Sequence, residues 1–318
     1  MSAATTLERI ESFHPQRTVR VDDLARYLGL RRVEVGAFRK LYGLEEMRYD
    51  PDLTLFDLAL PPARHALKAL PEGKRVNYLV YAHTIPTLTP PHLDPARIIR
   101  DELGLAGGTE AFAVSQQACV SNLGAIDLVA QLLRAESDGE GYALVVTGER
   151  AFSPEIQLSR NVHIMADAGA ACLVTIGGQG DVVRSNVTLT LGQFSAGLLM
   201  SDEEKRDFGL VATDTRIAIM QQAVADAGLE FGDIELVIPH NVNALSWRRV
   251  IEQMGIDANK VFLENVPRYS HCFTSDLFLN FVTLRDTDRL VDGKNYLLVS
   301  VGIGATFGAM VITHQLAK

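Results

Sequence analysis

Short, nearly continuous apolar runs alternate along this chain with segments of helical periodicity. Strand-like runs cover residues 76–82, 111–115, 143–148 and 170–176, then 182–189, 236–239, 296–301 and 309–313. Several, such as Ala143-Leu144-Val145-Val146, have no polar position, as expected of a strand covered on both faces. Apolar residues recur at helical spacing over 122–135, 215–227 and 244–254, with Asp214 placed to cap the second. Residues 53–70 also read as helix, which Pro61-Pro62 should end or kink. Strands alternating with helices predict an α/β architecture. The turn-rich stretch 177–181 separates two halves, 1–176 and 177–318. Residues 21–48 are charged and helical in character and predict a solvated flap over the core.

Composition narrows the class. With 318 residues, 47% hydrophobic and 22% charged, the chain can bury a full core. A formal net charge of -9 argues against nucleic acid, which needs a basic surface. No apolar run approaches the roughly 20 residues of a membrane span, and the start, Met1-Ser2-Ala3-Ala4-Thr5-Thr6, lacks the features of a signal peptide. The three cysteines form neither a CxxC pair nor a metal-ligand cluster, and suit a reducing cytoplasm.

Four segments carry candidate chemistry. In the first, a short strand ends in polar residues, Cys119 follows, and small residues open the helix 122–135. A thiol at that position faces the positive end of a helix, which favours the thiolate. Cys172, inside an apolar strand, reads as structural. The second is Pro239-His240-Asn241-Val242-Asn243, where a histidine at the carboxyl end of a strand points into the crevice used by α/β sites. Asn243 there is placed to polarise a carbonyl. The third, Tyr269-Ser270-His271 leading to Asp276, offers a second imidazole and a carboxylate able to orient either histidine. His83 and His163 carry no chemical signal. The fourth, Gly302-Ile303-Gly304, reads as a turn between strands whose backbone N–H groups suit an oxyanion hole. It is not a dinucleotide loop, which needs a following helix and strand before Lys318.

In this order and spacing, the segments around Cys119, Ala166-Asp167-Ala168-Gly169-Ala170-Ala171, Pro239–Asn243 and Gly302–Ala309 resemble the ketoacyl synthase III family of the thiolase superfamily. The resemblance implies a five-layered α-β-α-β-α fold of two similar halves, and a homodimer. It implies ping-pong chemistry without a cofactor on thioesters of coenzyme A or an acyl carrier protein. Cys119 is then the nucleophile, His240 the family histidine, and the backbone N–H groups of Cys119 and Ile303 the oxyanion hole. Ile303 replaces the usual glycine and should narrow the pocket. Arg248 and Arg249 stand about where the family docks its carrier protein. His271 stands where the family has asparagine. The resemblance therefore leaves two reactions open: condensation with a malonyl-type thioester, or transfer to an oxygen, nitrogen or unusual carbon nucleophile with imidazole as base. A silent partner subunit is the third alternative, against which the retained Cys119 argues.

Overall fold

The protein is described by a computed structural model covering residues 3–105, 107–136, 141–160 and 162–316. Met1 and Ser2, where the reading of the N-terminus began, lie outside the described residues. Nine strands form one bent sheet: β1 (Thr5–Phe13), β2 (Val76–Ala82), β3 (Glu110–Val114), β4 (Tyr142–Glu149), β5 (Ala168–Ile176), β6 (Asp181–Thr190), β7 (Ile234–Pro239), β8 (Asn295–Gly302) and β9 (Thr306–Thr313). Six helices frame it: α1 (Leu55–Ala66), α2 (Pro95–Glu102), α3 (Ser121–Ala135), α4 (Asp202–Asp226), α5 (Ala244–Met254) and α6 (Asp276–Asp286).

The two halves repeat one pattern. In the first, β2 pairs in parallel with β3 and β4, β4 runs antiparallel to β5, and β5 antiparallel to β1. In the second, β7 pairs in parallel with β8, β8 runs antiparallel to β9, and β9 antiparallel to β6. A single parallel bridge, Val237 to Val261, stands where β3 stands in the first half. Among the described residues, the strands of the two halves pair through the short β1–β6 contact at Thr6 and Leu7. Helices α1 and α2 cover the outer face of the first half, α4 the outer face of the second, with α5 packed on α4; α3 and α6 contact strands of both halves. The layers are therefore α-β-α-β-α, as the resemblance implied. Every residue of β4 is buried, the physical reason its run has no polar alternation.

Several elements depart from the sequence pattern. Helix α4 begins at Asp202, not after Asp214, because Ser201 and Glu204 form a reciprocal capping box thirteen residues earlier. Asp214 instead accepts a hydrogen bond from Gln253 Nε2. Helix α1 passes through Pro61-Pro62 without ending there, started by Thr54 and Asp57 in a second capping box. Residues 21–48 are not merely a solvated flap: Val21, Leu24, Leu28, Phe38, Leu44 and Met47 are buried against Ile164, Val266, Cys272 and Leu279. The stretch Ala118–Ala135 is long and apolar enough to cross a bilayer by length and composition, contrary to expectation. It is nevertheless mostly buried, with Leu123, Ile126, Val129 and Leu133 inside the central core.

Glycine allows two close approaches. A Cβ on Gly169 would lie 2.0 Å from Leu58 O, so only glycine lets α1 lie this close to β5. Gly169→Ala should lower the stability of the fold by about 1–3 kcal/mol through forced displacement of the helix. Urea denaturation checks this, and an unchanged midpoint would show that the helix yields freely. The second approach, at Gly302, bears on the site.

Candidate active site

Cys119 sits in a single 3-10 turn, Ala118–Val120, between β3 and α3. Ala118 adopts φ 48°, a left-handed conformation that side chains with a Cβ rarely take, and this sharpens the elbow that presents the thiol. Ser270 (φ 58°), Phe273 (φ 53°) and Ala305 (φ 59°) lie in the other loops of the site. Among the described residues, four of the five left-handed non-glycine residues thus belong to one small region, where strain holds side chains in place. The loop after β8 closes on the elbow because a Cβ at Gly302 would fall 2.2 Å from Gln117 O. Ser300 Oγ also donates to Cys119 O at 2.9 Å.

The thiol faces a relay from the second half. His271 Nε2 lies 3.3 Å from Cys119 Sγ, and His271 Nδ1 lies 2.5 Å from Asp276 Oδ2. Asp276 opens α6 and is fully engaged. Its Oδ2 also accepts Asn241 N–H at 2.6 Å, and its Oδ1 accepts Cys272 N–H at 2.7 Å. The sequence left open which imidazole Asp276 orients. The carboxylate binds the His271 ring directly and reaches the His240 turn only through Asn241. Thr84 Oγ1, at the end of β2, donates to Cys119 Sγ at 3.5 Å.

The two histidines have opposite electrostatics. Burial alone would lower the His271 pKa, but the Asp276 carboxylate and the Cys119 sulfur outweigh it and push it up to about 10. His271 is therefore an imidazolium at neutral pH, with Nε2–H donating to the sulfur and Nδ1–H to the carboxylate. Burial, then the charges of Arg216 and His271, hold His240 well below the usual histidine range. His240 is thus a neutral imidazole. Its Nδ1 lies 3.4 Å from Val299 O, and the tautomer donating there leaves Nε2 as an acceptor. The rings of His240 and His271 are 5.8 Å apart.

Cys119, His240, His271 and Ile303 line one cavity of about 650 Å³, so the structure brings these predicted residues together. A Cβ on Gly197 would lie 2.8 Å from Ile303 Cγ2, so these two residues of the cavity wall sit close together. Asn243 does not join them. Its Oδ1 caps α5 through Ser246 N–H at 2.8 Å and its Nδ2 donates to Val162 O at 3.0 Å, so its amide is engaged in holding the helix. Arg248 and Arg249 are exposed on α5. His163 was missed: it lines the cavity with its ring 4.9 Å from His271, and burial with the His271 charge holds it neutral. No motif surrounds it in the sequence, because a two-residue strand, His163–Ile164, places it. Cys172 and Cys272 are buried with thiols raised well above the ordinary range, first by burial, and are inert by comparison.

A nucleophile elbow from one half facing histidines from the other, within five alternating layers, defines a thiolase-fold enzyme. Residues 224–314 match the family described as 3-oxoacyl-[acyl-carrier-protein (ACP)] synthase III C terminal. The chain is 28% identical over 288 residues to a beta-ketoacyl-[acyl-carrier-protein] synthase III of Listeria monocytogenes, covering 85% of this chain and 87% of that one. It is 26% identical over 255 residues to the protein of the same name from Chlorobium phaeobacteroides, covering 73% and 76%. Among solved structures, the acyltransferase ChlB3 superposes with TM-score 0.86 at 18% identity, covering 98% of each chain. The 3-oxoacyl-(acyl carrier protein) synthase III of Pseudomonas aeruginosa superposes with TM-score 0.81 at 21% identity, covering 99% of each. The chain is thus similar to beta-ketoacyl-[acyl-carrier-protein] synthase III over most of its length and shares the fold of these solved structures.

Proposed function

We propose that the protein loads an acyl group from a thioester onto Cys119 and condenses it with a malonyl-type thioester. The observation that carries the reading is the Cys119–His271–Asp276 relay, with Nε2 of an imidazolium 3.3 Å from the sulfur. A cation there favours the thiolate, the form that attacks a thioester carbonyl. In the first half-reaction the Sγ–carbonyl bond forms and the bond to the incoming thiol breaks. The departing thiolate takes the His271 Nε2 proton. The backbone N–H groups of Cys119 and Ile303 are assigned to the oxyanion. In the second, loss of carbon dioxide leaves an enolate whose carbon attacks the acyl carbonyl, and the Cys119 thiolate leaves. Acyl-CoA or an acylated carrier protein is the donor, with Arg248 and Arg249 as the docking face for an acidic carrier. Homodimerisation and a cytoplasmic setting belong to the same reading.

One observation favours a second reading of the later step. A neutral His240 with Nε2 free as acceptor is equipped to take a proton from a hydroxyl or amine acceptor. Acyl thioesters of coenzyme A, read by intact mass, should add one acyl group at Cys119. Malonyl thioester should then discharge that adduct with release of carbon dioxide and a ketoacyl product. Discharge only by alcohols or amines, without carbon dioxide, would replace condensation by direct transfer. An unlabelled wild type across all acyl thioesters would leave the chain a silent subunit.

A further inference from the structure

Arg216, on α4, lines the cavity that holds Cys119 and His240, yet is only 8% exposed. Its guanidinium stacks 5.3 Å over the Trp247 ring, and Nη1 donates to Ser246 O at 3.4 Å. Its Nε has no hydrogen-bond partner among the described residues. Among the described residues, Asp202 is the only carboxylate on the cavity wall, but it sits at the exposed rim and pairs with Lys205 at 3.8 Å. Burial lowers the Arg216 pKa only to about 10, so the group is a cation at neutral pH.

An unpaired buried cation is destabilising, and the stacking on Trp247 offsets only part of that cost. Such a group is compensated when a ligand supplies the anion. The guanidinium presents forked donors that match a carboxylate and strengthen when water is excluded. A cavity of about 650 Å³ has room for a small substrate beside the nucleophile.

We propose that Arg216 is the recognition point for a carboxylate carried into the Cys119 cavity by a small-molecule substrate. This rests on the acyl-thioester reading above and names the substrate class it takes. The carboxylate has two sources, the far end of the acyl chain or the acceptor, and the half-reactions separate them. For the acyl source, Cys119 should accept a glutaryl thioester of coenzyme A faster than a valeryl one. Arg216→Met should then erase about 10- to 100-fold of that preference, and Arg216→Lys should restore part of it. For the acceptor source, discharge of the valeryl enzyme by malonyl thioester, taken relative to discharge by the neutral nucleophile hydroxylamine, should instead fall about 10- to 100-fold in Arg216→Met. If both ratios in Arg216→Met stay within about twofold of wild type, the proposal is overturned and Arg216 is only a packing partner of Trp247.

A third measurement does not depend on acylation. Free glutarate should protect Cys119 from iodoacetamide in the wild type and not in Arg216→Met. Protection without any acylation would uphold the carboxylate site while the thioester reading fails. Absence of both the protection and a changed ratio would refute the site itself.

Discussion

Replacing Cys119 with alanine should abolish acyl labelling and lower turnover by about 10⁴-fold or more. No other group can take its place at the elbow. Cys172 lies in the all-apolar interior of β5, and Cys272 faces backbone carbonyls at Tyr269 and Ser270. Burial raises both thiols well above the ordinary range, so neither supplies thiolate at neutral pH. The substitution removes one sulfur atom from a well-packed turn, so the fold should survive and thermal denaturation should confirm it. Intact-mass spectrometry after incubation with acyl thioesters is the decisive reading. An adduct of unchanged stoichiometry on the alanine variant would eliminate Cys119 as the acyl carrier.

The second large effect belongs to Asp276→Asn. The neutral amide keeps the size of the carboxylate but loses its charge and its capacity to accept from Asn241, Cys272 and His271 together. Without the carboxylate, burial dominates at His271 and the imidazole becomes neutral at pH 7. Alkylation of Cys119 by iodoacetamide at pH 6 should fall about 100-fold. Above pH 10 His271 has lost its proton in both proteins, so the difference should close there. The same shift fixes the sign of a stability term. Because the folded pKa of His271 is raised, its contribution is full below about pH 6.5, the ordinary histidine value. It is then lost as pH rises through about 10. Urea unfolding between pH 6 and pH 10 should show this decline in the wild type and not in the variant. An equal alkylation deficit at both pH values would point to a collapsed site and not to a lost ion pair.

How much of this was legible before folding depended on how local each signal is. The Cys119 elbow is written within one strand, one turn and one helix, so its residues identify it in order. The same holds for Gly302-Ile303-Gly304 between β8 and β9 and for His240 at the end of β7. The start of α4 was misplaced because apolar spacing fades over its first turns, while the cap that starts it, Ser201 with Glu204, lies outside the periodic region. Asn243 was read as a site residue because it sits in the right motif. Its amide in fact caps α5, a use that a motif does not distinguish from substrate binding.

The sequence by itself determined the α/β alternation and the placing of Cys119 between a strand and a helix, because these follow from hydrophobic spacing and chain order. Only the tertiary structure decided the chemistry around the thiol. Cys119 and His271 are 152 positions apart yet 3.3 Å from contact, and Asp276 selects His271 over His240 through packing of α6 against both halves. Burial lowers the pKa of both imidazoles, yet their neighbours leave them in opposite states: the one beside a carboxylate keeps its proton, and the other, with a guanidinium charge added to burial, loses it. Charge states of that kind depend on neighbours in space, and hydrophobic pattern carries no record of them.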